Sequence, residues 1–187
     1  MKLLLNNIKD TIKLGKELAK ISKPDDIFCL KGDLGTGKTT LARSFIQFLT
    51  NSNKVLSPTF PMLLTYDYKD NIIWHYDMYR LKKPDDIWNL SLEDALNHGI
   101  IIIEWPEIIE HLIPNKRIEV IIKDIKNDSR SAEVIANKKI TLLLAKNAPD
   151  HLEKILLAEG AKVERINIYE TKNIFYDIGT KKTLFQK

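Results

Sequence analysis

Hydrophobic and polar positions change their period several times along the chain, and each change marks an element. Residues 8–21 place Ile8, Ile12, Leu18 and Ile21 near one face of a helix, and Pro24-Asp25-Asp26 interrupts it. Ile27-Phe28-Cys29-Leu30 is a short unbroken apolar run bounded by turn signals, which predicts a buried strand. The glycine-rich stretch that follows, 32–37, suits neither helix nor strand. Beyond it Leu41, Phe45, Phe48 and Leu49 recur at spacings of three and four, predicting a helix from Lys38 to Leu49. Met62–Tyr68 and Ile72–Tyr76 read as two strands joined by a turn at Lys69-Asp70-Asn71.

Helix starts are predicted at Pro84-Asp85-Asp86 and Ser91-Leu92-Glu93, where acidic residues fall in the first turn. Gly99 closes that region, and Ile100–Glu104 is a second buried strand. Pro106–Leu112 is a short helix with proline at the position that has no N–H to lose. Arg117–Lys123 and Arg130–Ala136 read as paired strands. Strands alternating with helices predict an α/β fold with a mixed sheet flanked by helices. The last part reads as a β-α-β appendage: strand Lys139–Lys146, helix Pro149–Glu159, stop at Gly160, strand Lys162–Tyr169. The expected division is therefore a main domain over 1–136 and an extension over 137–187.

Composition narrows the classes. The 187 residues are 44% hydrophobic and 29% charged, enough for one well-filled core. The single cysteine, Cys29, excludes a disulfide framework and a cysteine-based zinc site, and mid-strand it reads as a small core residue. His98, His111 and His151 have no zinc-ligand spacing, and His75, alternating beside a strand end, reads as a packed or solvent-facing histidine. The longest aliphatic run, Ile100–Ile103, is far short of the roughly 20 residues a membrane crossing needs. Met1-Lys2-Leu3-Leu4-Leu5-Asn6 loses its apolar character too early for a secretory signal, so a soluble cytoplasmic protein is expected. The net charge of +4 arises in the extension: residues 1–136 hold 19 basic and 19 acidic side chains, and residues 137–187 hold 10 and 6. That spread is too thin to specify nucleic-acid binding by charge alone.

The candidate chemistry sits in Gly32-Asp33-Leu34-Gly35-Thr36-Gly37-Lys38-Thr39, which matches G-x-x-x-x-G-K-[ST]. A buried strand leads in and an amphipathic helix leads out, so the phosphate-binding reading rests on context as well as letters. The glycines let backbone N–H groups turn inward, and the helix offers its positive end to the same anion. Lys38 would reach the β- and γ-phosphates and the Thr39 hydroxyl would ligate Mg²⁺. Hydrolysis calls for a carboxylate at a strand end. Asp77 and Glu104 are the candidates, and Glu104 is favoured because its run is uninterrupted. A guanine-reading Asn-Lys-x-Asp element is missing, since Asn115-Lys116-Arg117-Ile118 and Asn137-Lys138-Lys139-Ile140 both lack the aspartate, which disfavours GTP.

Gly32–Thr40, Ser57-Pro58-Thr59-Phe60, His75-Tyr76-Asp77-Met78-Tyr79-Arg80 and Glu104-Trp105-Pro106, in this order and spacing, resemble the TsaE (YjeE) family. These are P-loop ATPases of bacterial tRNA threonylcarbamoyladenosine (t6A) synthesis, and the resemblance extends to about Ala136. It implies a P-loop NTPase-like fold, ATP and Mg²⁺ as ligands, and slow, partner-stimulated hydrolysis. The implied task is cycling the TsaB–TsaD complex between turnovers, with tRNA met indirectly through that complex. By the resemblance Asp33, Leu34, Gly35, Thr36, Gly37, Lys38, Thr39 and Thr40 hold the nucleotide, with Thr39, Asp77 and Glu104 around the metal and water. Thr59 matches a switch threonine that senses the nucleotide state, and Trp105 sits beside the pocket. Thr11 falls near the adenine and Arg130 near the nucleotide. Tyr79 and Arg80 belong to the motif, with catalysis and partner docking both open.

Residues 137–187 lie outside that pattern. Gly160-Ala161-Lys162-Val163 and Tyr169-Glu170-Thr171 are similar to part of a uroporphyrinogen-III synthase-like half-domain, too small a piece for that activity. Two other functions compete on the same scaffold. A P-loop kinase for a small molecule or protein would need an arginine-bearing lid, and Arg43, Arg80, Arg117 and Arg130 form none. A non-hydrolysing, nucleotide-gated interaction module would leave the two strand-end carboxylates without a purpose.

Overall fold

A computed structural model describes residues 1–125, 129–137, 140, 141 and 144. Seven strands form one sheet in the order β1-β7-β6-β2-β5-β4-β3. They are β1 (Lys2–Leu5), β2 (Ile27–Lys31), β3 (Leu63–Tyr68), β4 (Asn71–Asp77), β5 (Ile100–Glu104), β6 (Ile118–Asp124) and β7 (Arg130–Ile135). β6, β2, β5 and β4 run parallel, while β3 and β7 are antiparallel to their neighbours. β5 is buried throughout and β2 along all but its last residue, which is why both read as unbroken apolar runs. The mixed sheet expected from the sequence is therefore the sheet observed.

Two helices, α1 (Ile8–Ile21) and α2 (Lys38–Thr50), cover one face around a core that includes Leu18, Phe28, Phe45 and Ile102. The Phe28 and Phe45 rings meet edge to face at 4.9 Å. The other face is closed by the short α3 (Leu92–Asn97) and the 3₁₀ turns Pro84–Leu90 and Pro106–Leu112, over Ile27, Cys29, Tyr76 and Ile103. Cys29 is fully buried there, and burial pushes its thiol up to about 12, so it packs as a core residue. No helix among the described residues is long and apolar enough to cross a membrane.

Three features differ from the sequence reading. α1 buries Thr11, Leu14, Gly15, Leu18 and Ala19, while Ile8 is 58% exposed. The cause is Gly15: a Cβ there would overlap Ser44 Oγ and the Leu41 carbonyl, so the glycine draws α1 against α2 and turns the buried stripe away from Ile8. β1 was not anticipated, because four residues give too little alternation to read. It is held to β7 alone, with the Met1 amine donating to the Val134 carbonyl at 2.7 Å. Finally, Ile140, Thr141 and Leu144 are helical where a strand was expected. Asn137 explains the start of that turn: its Oδ1 accepts from Ile140 N at 3.1 Å and its carbonyl from Thr141 N at 3.1 Å. Leu144 is buried in the core beside α1 and α2. The expected helix at 149–159 and strand at 162–169 lie outside the described residues.

Candidate functional site

Parallel pairing brings the carboxyl ends of β2, β5 and β4 to one edge of the sheet. Leu30 on β2 pairs with Glu104 on β5, which pairs with Asp77 on β4. The glycine-rich loop leaves that edge directly after β2. Gly32 must lie there without a side chain, since its φ is +137° and a Cβ would overlap the Ile122 carbonyl. The loop ends at Gly37, in left-handed conformation, which caps α2 without a side-chain hydrogen bond. No acidic residue sits in the first turn of α2, so its leading N–H groups and dipole are left for an outside anion.

Lys38 is buried, and its Nζ donates to the carbonyls of Gly32 at 2.7 Å and Asp33 at 2.8 Å. The ammonium also stands 3.8 Å from the centroid of the Trp105 ring. Burial pulls Lys38 below the ordinary lysine value, against the opposing pull of Glu104, Asp77, Glu107 and Asp33. Such a cation gains most from a nearby polyanion. Trp105 follows β5 in left-handed conformation (φ +57°), and its ring lies 5.1 Å from that of Tyr79. A bulky residue held there is backbone strain located at the site.

The two carboxylates are buried and each is engaged twice. Thr39 Oγ1 donates to Glu104 Oε2 at 2.7 Å, and His75 Nε2 lies 2.9 Å from Glu104 Oε1. Thr59 Oγ1 donates to Asp77 Oδ2 at 2.6 Å, while Asp77 Oδ1 accepts from Tyr79 N at 3.0 Å. Since Thr59 spends its proton on Asp77, the Ser57 hydroxyl donates to Thr59 at 2.9 Å. Thr39, Glu104 and Asp77 thus present hard oxygen donors of the kind magnesium takes, beside a loop suited to phosphates. Among the described residues no group of three or more His, Cys, Asp or Glu is placed to hold a metal alone.

Other expected residues divide clearly. Thr36 is buried, donating its hydroxyl to the Asp33 carbonyl at 2.9 Å, while Leu34 is 74% exposed on the loop's crest. Asp33 and Gly35 are exposed, and Thr40 is half-buried in the first turn of α2. Thr11 is buried with its Oγ1 unpartnered among the described residues, and its methyl lies 3.6 Å from where a Cβ on Gly37 would be. Arg130 starts β7 on the same sheet edge but two strands from β2, paired with Asp124 Oδ1 at 3.1 Å. Arg80 is exposed and stacks over the exposed Phe60 ring at 5.1 Å. Ser57 and His75 were not read as site residues. The one available signal was alternation, which puts His75 on the same face of β4 as Asp77.

The part of the chain that carries these residues, 5–132, is similar to known proteins. A family model described as threonylcarbamoyl adenosine biosynthesis protein TsaE matches residues 5–132. A Rickettsia conorii protein called tRNA threonylcarbamoyladenosine biosynthesis protein TsaE is 46% identical over 136 residues, covering 72% of this chain and 78% of the relative. A Bacillus subtilis protein of the same name is 34% identical over 125 residues, covering 66% and 78%. The crystal structure of Bacillus subtilis YdiB is similar with a TM-score of 0.64 at 26% identity, covering 79% of this chain and 95% of that one.

Proposed function

The chain belongs to the TsaE family, and from that premise we propose that it is a slow, Mg²⁺-dependent ATPase of the cytoplasm serving t6A synthesis. It cycles the TsaB–TsaD complex between turnovers and meets tRNA through that complex. The observation that carries this reading is the clasp of Thr39 on Glu104 at 2.7 Å, directly after Lys38 and the uncapped start of α2. A phosphate cradle and a buried carboxylate at its mouth are what nucleotide hydrolysis asks of a protein.

In this reading the loop N–H groups from Asp33 to Thr40 and the Lys38 ammonium bind the β- and γ-phosphates. Thr39, Glu104 and Asp77 hold Mg²⁺, which when bound neutralises charge on the phosphate oxygens. Thr59 senses the nucleotide state by choosing between Asp77 and the nucleotide. Thr11, with its unpartnered hydroxyl beside Gly37, lies on the adenine side. Trp105 shields Lys38 from water, which strengthens the cation's hold on phosphate. Arg130 approaches the nucleotide only by leaving Asp124. The ATPase domain spans 1–136, and 137–187 is an extension beyond it, with Leu144 packed into the same core.

The test is reconstituted t6A formation on tRNA with TsaB, TsaD and a supply of the threonylcarbamoyl donor. The chain should be dispensable for the first turnover and needed for those that follow. Equal multiple turnover without it would overturn the cycling role.

A further inference from the structure

His75 is a buried group with a titratable ring that the mechanism above does not use. It is fully buried, and so is Glu104. His75 on β4 pairs with Ile102 on β5, two residues before Glu104 on the same sheet face. The imidazole therefore reaches along the sheet to Glu104 Oε1 at 2.9 Å. A carboxylate accepts only, so Nε2 carries the hydrogen of this bond. The ring's other nitrogen, Nδ1, has no partner among the described residues. A purely packing role at this position would be filled better by an aliphatic side chain, which leaves no buried polar atom unpaired. The orphaned nitrogen is tolerated for the bond that the other one makes.

We propose that His75 is a positioning residue: its Nε2–H holds Glu104 Oε1, so that Oε2 stays aimed at Thr39 Oγ1. A glutamate with three rotatable bonds would otherwise sample several rotamers at the mouth of the loop. With Oε1 anchored by His75 and Oε2 facing the Thr39 hydroxyl at 2.7 Å, the pair of oxygens is set before any ligand arrives. This inference rests on the reading of Glu104 as a magnesium-side carboxylate.

The experiment uses the full chain and a fluorescent ATP analogue, titrated with and without Mg²⁺, after thermal melts have identified the folded variants. His75→Leu keeps the bulk and loses the donor. His75→Asn is too short to reach Glu104, and His75→Gln can return an N–H near the Nε2 position. Metal-free analogue affinity should stay within about twofold of wild type in all three. The Mg²⁺ concentration for half-maximal tightening should rise about tenfold in the Leu and Asn variants and return to within about threefold in the Gln variant. Wild-type Mg²⁺ dependence in a folded Leu or Asn variant would overturn the proposal, as would a Gln variant no better than Asn. Glu104→Gln separates the two layers. If it keeps the wild-type Mg²⁺ dependence, the reading of Glu104 itself fails; if it loses that dependence while His75→Asn does not, only the role of His75 fails.

Discussion

Thr39, in the first turn of α2, and Glu104, the last residue of β5, lie 65 positions apart and are joined by a 2.7 Å hydrogen bond at the carboxyl edge of the sheet. The bond puts the hydroxyl of the glycine-rich loop on the carboxylate that we propose for the metal. Thr39→Val removes the hydroxyl at little cost in volume. It should leave metal-free ATP affinity nearly unchanged and remove most of the tightening by Mg²⁺, read by calorimetric titration with and without the ion. Unaltered Mg²⁺ dependence would place the metal elsewhere.

Lys38→Ala deletes the buried cation that Gly32, Asp33 and Trp105 hold over the loop. A charge-assisted hydrogen bond contributes about 1.5–3 kcal/mol, so ATP should bind roughly 10–100-fold more weakly. Unchanged affinity in a folded variant would sink the phosphate-loop reading.

Glu104→Gln keeps the size of the side chain and removes its charge. Metal-free nucleotide binding should survive within a few-fold while hydrolysis falls by about 100-fold or more, the signature of an interaction made chiefly in the transition state. Equal turnover would move the assignment to Asp77.

Glu119 tests the framework behind the site. Burial pushes its carboxyl up, but Lys31 at 3.0 Å and Arg117 at 2.7 Å outweigh burial and hold it below the ordinary glutamate value. A depressed carboxylate stabilises the fold above the ordinary value of 4.5 and loses that contribution as pH falls through its lower folded value. Glu119→Gln should therefore melt below wild type at pH 7, and the gap should narrow as melts are taken progressively below pH 4.5.

Leu144 ties the start of the extension to the main domain, being 2% exposed within the α1–α2 core. Leu144→Ala should cost about 2–5 kcal/mol in denaturant unfolding. A change below about 0.5 kcal/mol would remove residue 144 from the core.

The phosphate loop was legible because its letters, the apolar strand before it and the amphipathic helix after it are all local. β2 and β5 were legible for a related reason: strands covered on both faces read as continuous apolar runs. What escaped depends on distant partners. The buried stripe of α1 was misplaced because Gly15 draws it onto Ser44 and Leu41 of another helix. His75 reads from the sequence as packed or solvent-facing, and it is packed, but its partner Glu104 is 29 residues away and becomes adjacent only through β4–β5 pairing. Asn137 could have flagged the helical placement of Ile140, Thr141 and Leu144, yet apolar residues at those positions suit strand and helix alike.

The most direct measurement of the central claim is ATP turnover by the full chain, alone and with the TsaB–TsaD pair, with Glu104→Gln as the control. The account predicts negligible turnover alone, a clear rise with the pair, and no rise in the variant. Turnover that ignores the pair, or that persists in Glu104→Gln, would contradict it.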